Sequence, residues 1–251
     1  MQRYFIPEEA WLKEQVQIKH DDMHHIKNVM RMEVGDSLEC VHPNGFVAEC
    51  KIQAFEENKI VVQIHKWLDE DTELPVSVTI VQGLPKKDKL ELVLQKGTEL
   101  GAVEFLLYEA DRSIVQWNEK KQAQKLARFN KIVKEASEQC HRKQVPEIAV
   151  NSLRNILKNE NTTYDLFLFA YEEEAKQASD TSFHHILSNI QRGTRICLII
   201  GPEGGFSKNE VQFLKQHQAK PIRLGPRILR TETAALYALA SISYHFEEME
   251  E

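Results

Sequence analysis

The sequence predicts an α/β protein in two parts, a small β-rich domain over residues 1–72 and a larger domain over 73–251 built on a parallel sheet. Three observations predict it. Residues 1–70 are a series of short β-rich runs with one helical stretch. From Val76 onward, apolar strand-like runs alternate with helical ones. Between these textures lies the acidic stretch Asp69–Glu73, ending at Leu74-Pro75, which has the composition of a linker. With 251 residues, 42% of them hydrophobic, the chain can fill one large or two smaller cores.

In the first part, RYFI, LECVHP, FVAECKIQAF and KIVVQIHKW read as strands, and Asn44-Gly45 is a hairpin turn between two of them. Asp21 or Asp22 is an expected N-cap for a helix from about Met23 to Met30. Together these predict a small β-barrel or sheet with a helix packed on it. In the second part VSVTIVQG is a buried-type strand, followed by an amphipathic helix over Lys89–Leu100. The strand VEFLLY and a long basic helix over Glu119–Cys140 come next. DLFLFA, RICLII and KPIRL are further strands. Helices are expected near Phe183–Ile190, from Lys208, and from about Thr233 to Phe246. Strands separated by helices imply a parallel sheet covered on both faces.

Composition narrows the function. No apolar run approaches the roughly 20 residues that span a bilayer. The start MQRYFIPEEA lacks the charged-then-apolar pattern of a signal peptide, so a cytoplasmic protein is expected, with no membrane partner. Cys40, Cys50, Cys140 and Cys197 form no CxxC pair and read as reduced thiols rather than disulfides or zinc ligands. His24-His25 and His184-His185 are adjacent pairs, which diverge on a helix, and no metal site is expected. Trp11, Trp67 and Trp117 read as core or interface residues. The net charge is −6, but it is unevenly spread. Residues 1–72 hold 8 Lys/Arg against 14 Asp/Glu, and the tail Glu247–Glu251 is strongly acidic. Residues 120–143 hold 8 Lys/Arg against 2 Asp/Glu. Phosphate follows local potential more than total charge, so this window reads either as a phosphate-binding helix for a nucleic-acid partner or as a solvated face.

Two loops carry the chemistry. GPEGGFS, Gly201–Ser207, follows an apolar strand and precedes a helix. Gly201, Gly204 and Gly205 allow a sharp turn and close backbone approach to a ligand. Ser207 and Glu210 have capping-box spacing. A tight structural turn is the alternative. The second loop, Leu224–Ala235, again joins a strand to a helix, which Thr231 or Thr233 is expected to cap. Arg227 and Arg230 stand out in its otherwise apolar stretch. They point to a carboxylate, a phosphate or a developing anion, or to an internal salt bridge. GxxxxGK[ST] is absent and the glycines do not fit GxGxxG, which disfavours the common nucleotide sites.

GPEGGFS-x-x-E followed by LGPRILRTETA resembles the signature of the ribosomal RNA small subunit methyltransferase E family. These are the uracil-N3 methyltransferases of bacterial 16S ribosomal RNA, within the SPOUT superfamily. The resemblance runs the length of the chain, through RYFI, HHIKNVMRMEVGD, KGTELGA, DRS and EQCHRKQVPEI in order. Asp111 departs slightly, since the family more often has Glu before Arg112, but the charge is kept.

The resemblance implies a PUA-like β-barrel over 1–72, a SPOUT domain with a C-terminal trefoil knot over 73–251, and a homodimer. It implies S-adenosylmethionine in the knot. The residues matching its site are Ala170, Tyr171, Glu172, Ile200, Gly201, Pro202, Glu203, Gly204, Gly205, Leu224, Gly225, Arg227, Ile228, Leu229, Arg230, Thr231, Thr233 and Ala234. The implied partner is 16S ribosomal RNA within the small subunit. Methylation at N3 removes a proton and spreads negative charge onto O2 and O4, which a cation would stabilise. Arg230 is the first candidate, and Glu232 a second, as proton acceptor, though helix capping explains it equally well. Arg3, His25, Lys27, Arg31 and Arg112 are expected at the RNA, with Lys121, Lys125 and Arg128 of the basic window. Two rival readings are an RNA-binding protein that keeps the fold without the cofactor, and a SPOUT enzyme acting on a ribose hydroxyl or another base.

Overall fold

The computed structural model describes residues 1–158, 164–171 and 182–249, so Glu172, Glu250 and Glu251 lie outside the described residues. It divides into two compact units, Met1–Glu73 with Ser137–Val145, and Leu74–Ala136 with Pro146–Glu251.

The first unit is built on a five-stranded sheet of order β1-β3-β4-β5-β2. Its strands are β1 (Arg3–Phe5), β2 (Gln15–Ile18), β3 (Ser37–Val41), β4 (Val47–Phe55) and β5 (Ile60–Leu68). β1 runs parallel to β3, and the other pairs are antiparallel. Two register shifts in β4, after Glu49 and after Ile52, bend the strand and raise its twist. The Asn44-Gly45 hairpin is present, with Gly45 at φ +85° and its N–H donated to the His42 carbonyl at 2.8 Å. Val16, Ile18, Leu38, Cys40, Ile52, Ile60 and Val62 form the core, and Ile26 packs into it from the helix. That helix, α1, begins earlier than expected, at His20–His24, and continues as a wider turn over His25–Val29. Lys19 is its N-cap, so Asp21 and Asp22 lie in the first turn, where negative charge suits the helix dipole.

The second unit carries a six-stranded parallel sheet of order β11-β9-β10-β6-β7-β8. The strands are β6 (Ser77–Gly83), β7 (Glu104–Tyr108), β8 (Glu147–Val150), β9 (Leu166–Ala170), β10 (Arg195–Ile200) and β11 (Lys220–Ile222). Among the described residues the helices are α2 (Lys89–Glu99), α3 (Glu119–Gln139), α4 (Leu153–Lys158), α5 (Phe183–Leu187), α6 (Lys208–Gln216) and α7 (Thr231–Ser243). α3 belongs to this unit as far as Ala136. β6 and β10 are the innermost strands and are buried along almost their whole length, as in a sheet covered on both faces. From β6 the chain proceeds outward through β7 and β8, whereas β9, β10 and β11 lie on the other side. The strand order therefore reverses between β6 and β10, and the crevice beyond their carboxyl ends is where such sheets bind ligands. No helix among the described residues is long and apolar enough to cross a membrane.

Candidate active site

A cavity of about 720 Å³ opens at that end of the sheet. The strand-to-loop transition needs glycine at Gly83, where a Cβ would lie 2.7 Å from the Pro202 ring. This close approach brings the end of β6 against the first motif loop. Gly205 turns the same loop with φ +65°, a conformation that other residues rarely adopt.

Most of the residues expected at the cofactor line this cavity. They are Ala170, Tyr171, Ile200, Gly201, Pro202, Glu203, Gly204, Gly205, Leu224, Gly225, Arg227, Ile228, Leu229, Arg230, Thr231 and Ala234. The expectation for Glu172 lies outside the described residues. Thr233 and Glu232 are not on the cavity wall. Lys89, Arg112, Phe206, Lys208 and Ile222 complete the wall, and of these the sequence had singled out only Arg112, for another role.

Side-chain bonds hold the two motif loops in place. Ser207 and Glu210 form the expected capping box, with the Glu210 N–H donated to Ser207 Oγ at 3.0 Å and the Ser207 N–H to Glu210 Oε2 at 2.7 Å. Thr231 does not cap α7. The N-cap is Arg230, whose side chain makes no capping bond. Thr231 is buried instead, donating to the Gly201 carbonyl at 2.6 Å and accepting from Gln82 Nε2 at 2.9 Å. One hydroxyl thus joins β6, the GPEGG loop and α7.

The DRS triplet docks on the same loop. Ser207 Oγ donates to Asp111 at 2.5 Å, and the Asp111 N–H donates to Glu210 Oε1 at 3.1 Å. Arg112 Nη1 donates to the Gly204 carbonyl at 2.9 Å. Arg112 is exposed and lies on the cavity wall, so it is a pocket residue as well as a candidate RNA contact.

Charge is arranged unevenly around the cavity. Lys89, Arg112, Lys208, Arg227 and Arg230 supply positive charge, and Glu203 is the one carboxylate on the described wall. Burial pushes the Glu203 carboxyl up, but the bond from Lys89 and the Lys86 N–H outweigh it and hold the group below its ordinary value. Lys89 is held above its ordinary value, chiefly by Glu203 and further by Glu232. Glu232 pairs with Lys89 at 3.4 Å. Off the cavity wall, the Glu232 carboxylate faces Lys89 from the first turn of α7. Burial raises the Cys40 and Cys197 thiols well above the usual range, so neither is poised as a nucleophile. Among the described residues no three His, Cys, Asp or Glu side chains cluster as metal ligands.

The residues expected at the RNA are dispersed. Arg3 is the clearest correction. Its side chain is 0% exposed, and its guanidinium is spent on Glu39, Glu70 and the carbonyls of His141 and Arg142. A guanidinium this enclosed cannot reach a phosphate. His25 is half-buried with Nδ1 3.0 Å from the Tyr4 hydroxyl. Lys27 and Arg31 are exposed. On α3, Lys121 is exposed, Lys125 lies over the Phe129 ring at 5.7 Å, and Arg128 donates to Glu91 at 2.7 Å. Further along the basic window Arg142 is buried and paired with Glu73. Of the tryptophans expected in the core or at an interface, Trp67 is 54% exposed and stacked on Trp11 with ring centroids 5.7 Å apart.

Comparison with known proteins converges on one family. Residues 72–243 match the model of an RNA methyltransferase domain, and residues 18–64 that of an RNA methyltransferase PUA domain. A ribosomal RNA small subunit methyltransferase E from Bacillus subtilis is 43% identical, with 98% of both chains covered. A protein of the same name from Mycobacterium tuberculosis is 29% identical over 88% of this chain and 83% of its own. The crystal structure of a ribosomal RNA small subunit methyltransferase E from Neisseria gonorrhoeae, bound to S-adenosylmethionine, superposes with a TM-score of 0.84 at 26% identity, covering 98% of each chain. A Legionella pneumophila methyltransferase in complex with the same cofactor gives 0.83 at 29% identity, covering 97% of each. With such coverage, and with the family model spanning all six strands of the parallel sheet, the chain belongs to the ribosomal RNA small subunit methyltransferase E family.

Proposed function

We propose that this protein methylates N3 of a uridine in 16S ribosomal RNA of the small subunit, with S-adenosylmethionine as methyl donor, in the cytoplasm. We further propose a homodimer, an RNA-binding domain over 1–72, and a methyltransferase domain over 73–251 whose cofactor loops are threaded as a trefoil knot. The observation that carries the reading is a cavity framed by both motif loops, which Thr231 joins. Relatives that share the fold over nearly the whole chain hold S-adenosylmethionine in their crystals.

The residues present fit that cofactor. Ile200, Ile222, Leu224, Leu229 and Ala234 give the cavity an apolar wall for a flat heterocycle. Glycines in the GPEGG loop would let a base edge approach its backbone N–H and C=O groups. Arg227 and Lys208 suit a carboxylate. The cofactor supplies a methyl group on a sulfonium, which departs as a neutral thioether. The protein must hold the uracil ring edge-on and stabilise the charge left on O2 and O4 when N3 gives up its proton. Arg230 is proposed for that task, because it is exposed on the cavity wall at the start of α7 and has no ion pair among the described residues.

Titration calorimetry with S-adenosylmethionine, followed by mass mapping of the methylated nucleoside in 16S ribosomal RNA, tests the reading. Tight binding and a methyl group on uracil N3 are expected. A methyl on a ribose hydroxyl would overturn the base assignment, and no binding would overturn the enzyme.

A further inference from the structure

Lys89 is the first residue of α2 and lines the cavity, yet no sequence motif marked it. Its ammonium meets two carboxylates, one from each of the two motif segments. Glu203 Oε1, from the GPEGG loop, lies 3.0 Å away, and Glu232 Oε2, from the first turn of α7, lies 3.4 Å away. Glu203 also accepts the Lys86 N–H at 3.1 Å, so the chain leading into α2 grips this loop twice.

The first turn of α7 has no side-chain cap. Its N-cap Arg230 makes no side-chain capping bond, and the hydroxyl of Thr231 is spent on Gly201. The pair with Lys89 therefore helps to fix the turn from which Arg230 projects. The two carboxylates both touch one ammonium, so they lie no further apart than their two distances to it allow. Without the ammonium they would be like charges facing across a narrow gap, which favours separation or protonation.

We propose that Lys89 is a positioning residue that keys the two motif loops to each other, through Glu203 on one and Glu232 on the other, and so sets both walls of the methyl-donor cavity before a ligand enters. This rests on the reading of the cavity as the S-adenosylmethionine site. Lys89 acts through its charge and its reach.

The test is calorimetric affinity for S-adenosylmethionine, measured from pH 8 to about pH 5, where carboxylates begin to protonate. Lys89→Met is expected to weaken binding about tenfold or more. Lys89→Arg should recover most of the loss. Lys89→Met with Glu203→Gln should recover part of it, because only one charge remains. In Lys89→Met the affinity should rise as pH falls and the Glu203 carboxylate takes up a proton, and the parent should show no such rise. Glu203→Gln alone, at an exposed residue, should fold and bind several-fold more weakly, and it serves as the deciding variant if circular dichroism shows Lys89→Met unfolded. If the parent does not bind S-adenosylmethionine, the reading of the cavity fails and this inference with it. If the parent binds and both Lys89→Met and Glu203→Gln bind equally well, the inference alone is overturned. Equal weakening in the methionine and arginine variants, without pH dependence, would also overturn it, because it would mark a packing role.

Discussion

Two arginines that the sequence offered as contacts, Arg3 for RNA and Arg230 for the reaction, end up as opposites. Arg3 is sealed in the first unit with its donors shared among two carboxylates and two carbonyls. Arg230 stands exposed on the cavity wall of the second unit, with no ion pair among the described residues. Both follow from which carboxylates the fold brings near. Glu39 and Glu70 lie 36 and 67 residues from Arg3, and only the folded sheet and the segment after it bring them together. The nearest acid in sequence to Arg230 is Glu232, and Lys89 has claimed it. A buried guanidinium is a structural charge whose loss strands its partners, whereas an exposed one in a cavity is free to meet a ligand's charge.

The largest expected effect would break the first half of that contrast. Arg3→Ala leaves Glu39, which is 7% exposed, without its buried cation. Loss of one partner from a buried pair costs about 3–5 kcal/mol. Urea unfolding should show that loss, with little change in affinity for S-adenosylmethionine in whatever fraction stays folded. An Arg3→Ala protein of parental stability that bound RNA poorly would restore Arg3 to the RNA surface.

Arg230→Ala tests the other half. Methyl transfer in a single turnover should fall about a hundredfold or more, as for one aimed electrostatic group. The melting temperature should stay near that of the parent, because no ion pair among the described residues is lost. A variant that transferred methyl groups at the parental rate would remove Arg230 from catalysis.

A third effect sharpens the comparison through pH. Glu73 holds the buried Arg142 in the first unit much as Glu39 holds Arg3. Burial pushes the Glu73 carboxyl up, but Arg142, Gln144 and the Lys143 N–H outweigh it, and the group stays below its ordinary value. A lowered carboxyl contributes stability above its unfolded value of about 4.5 and loses it as pH falls through the folded value. Glu73→Gln should therefore cost about 2 kcal/mol at neutral pH, and the gap to the parent should close below about pH 4.5. A gap that persists unchanged into acid would mean that packing, not charge, holds Arg142.

Local signals in the sequence were readable because their partners lie a few residues away. Asn44-Gly45 makes its hairpin, and Ser207 with Glu210 makes its box. The six parallel strands also left their apolar runs, except β8, whose EIAV alternates half-buried with exposed positions. β2 was missed for a similar reason, since QVQI is short and half polar. What could not be read depends on distant partners. Thr231 fits a helix cap by its neighbours, but Gly201 and Gln82 take its hydroxyl from 30 and 149 residues away. Lys89 reads as one more charge on an amphipathic helix until the fold sets two carboxylates against it. The DRS triplet gave no hint that Asp111 would dock on Ser207, 96 residues on.

The smallest effect concerns the basic window, where pairing again separates charges that look alike in sequence. Lys121 is exposed and its ammonium has no ion pair among the described residues, while Arg128 is held by Glu91 and Lys125 lies along Phe129. A cation whose charge is already balanced releases fewer counterions when it meets a phosphate. Neutralising three such residues would lower the salt slope of RNA binding by about three units if all were equal, at about one per contact. The pairing predicts a graded result instead. Lys121→Gln should flatten the slope by about one unit, and Arg128→Gln by clearly less, with Lys125→Gln between them. Affinity for S-adenosylmethionine should be unchanged in all three, because none of them lines the cavity. RNA binding measured across a salt series for the three single variants decides the matter. Equal slopes for all three would show that the Glu91 pair opens on binding, and slopes identical to the parent would make this face of α3 a solvated surface with no part in the RNA contact.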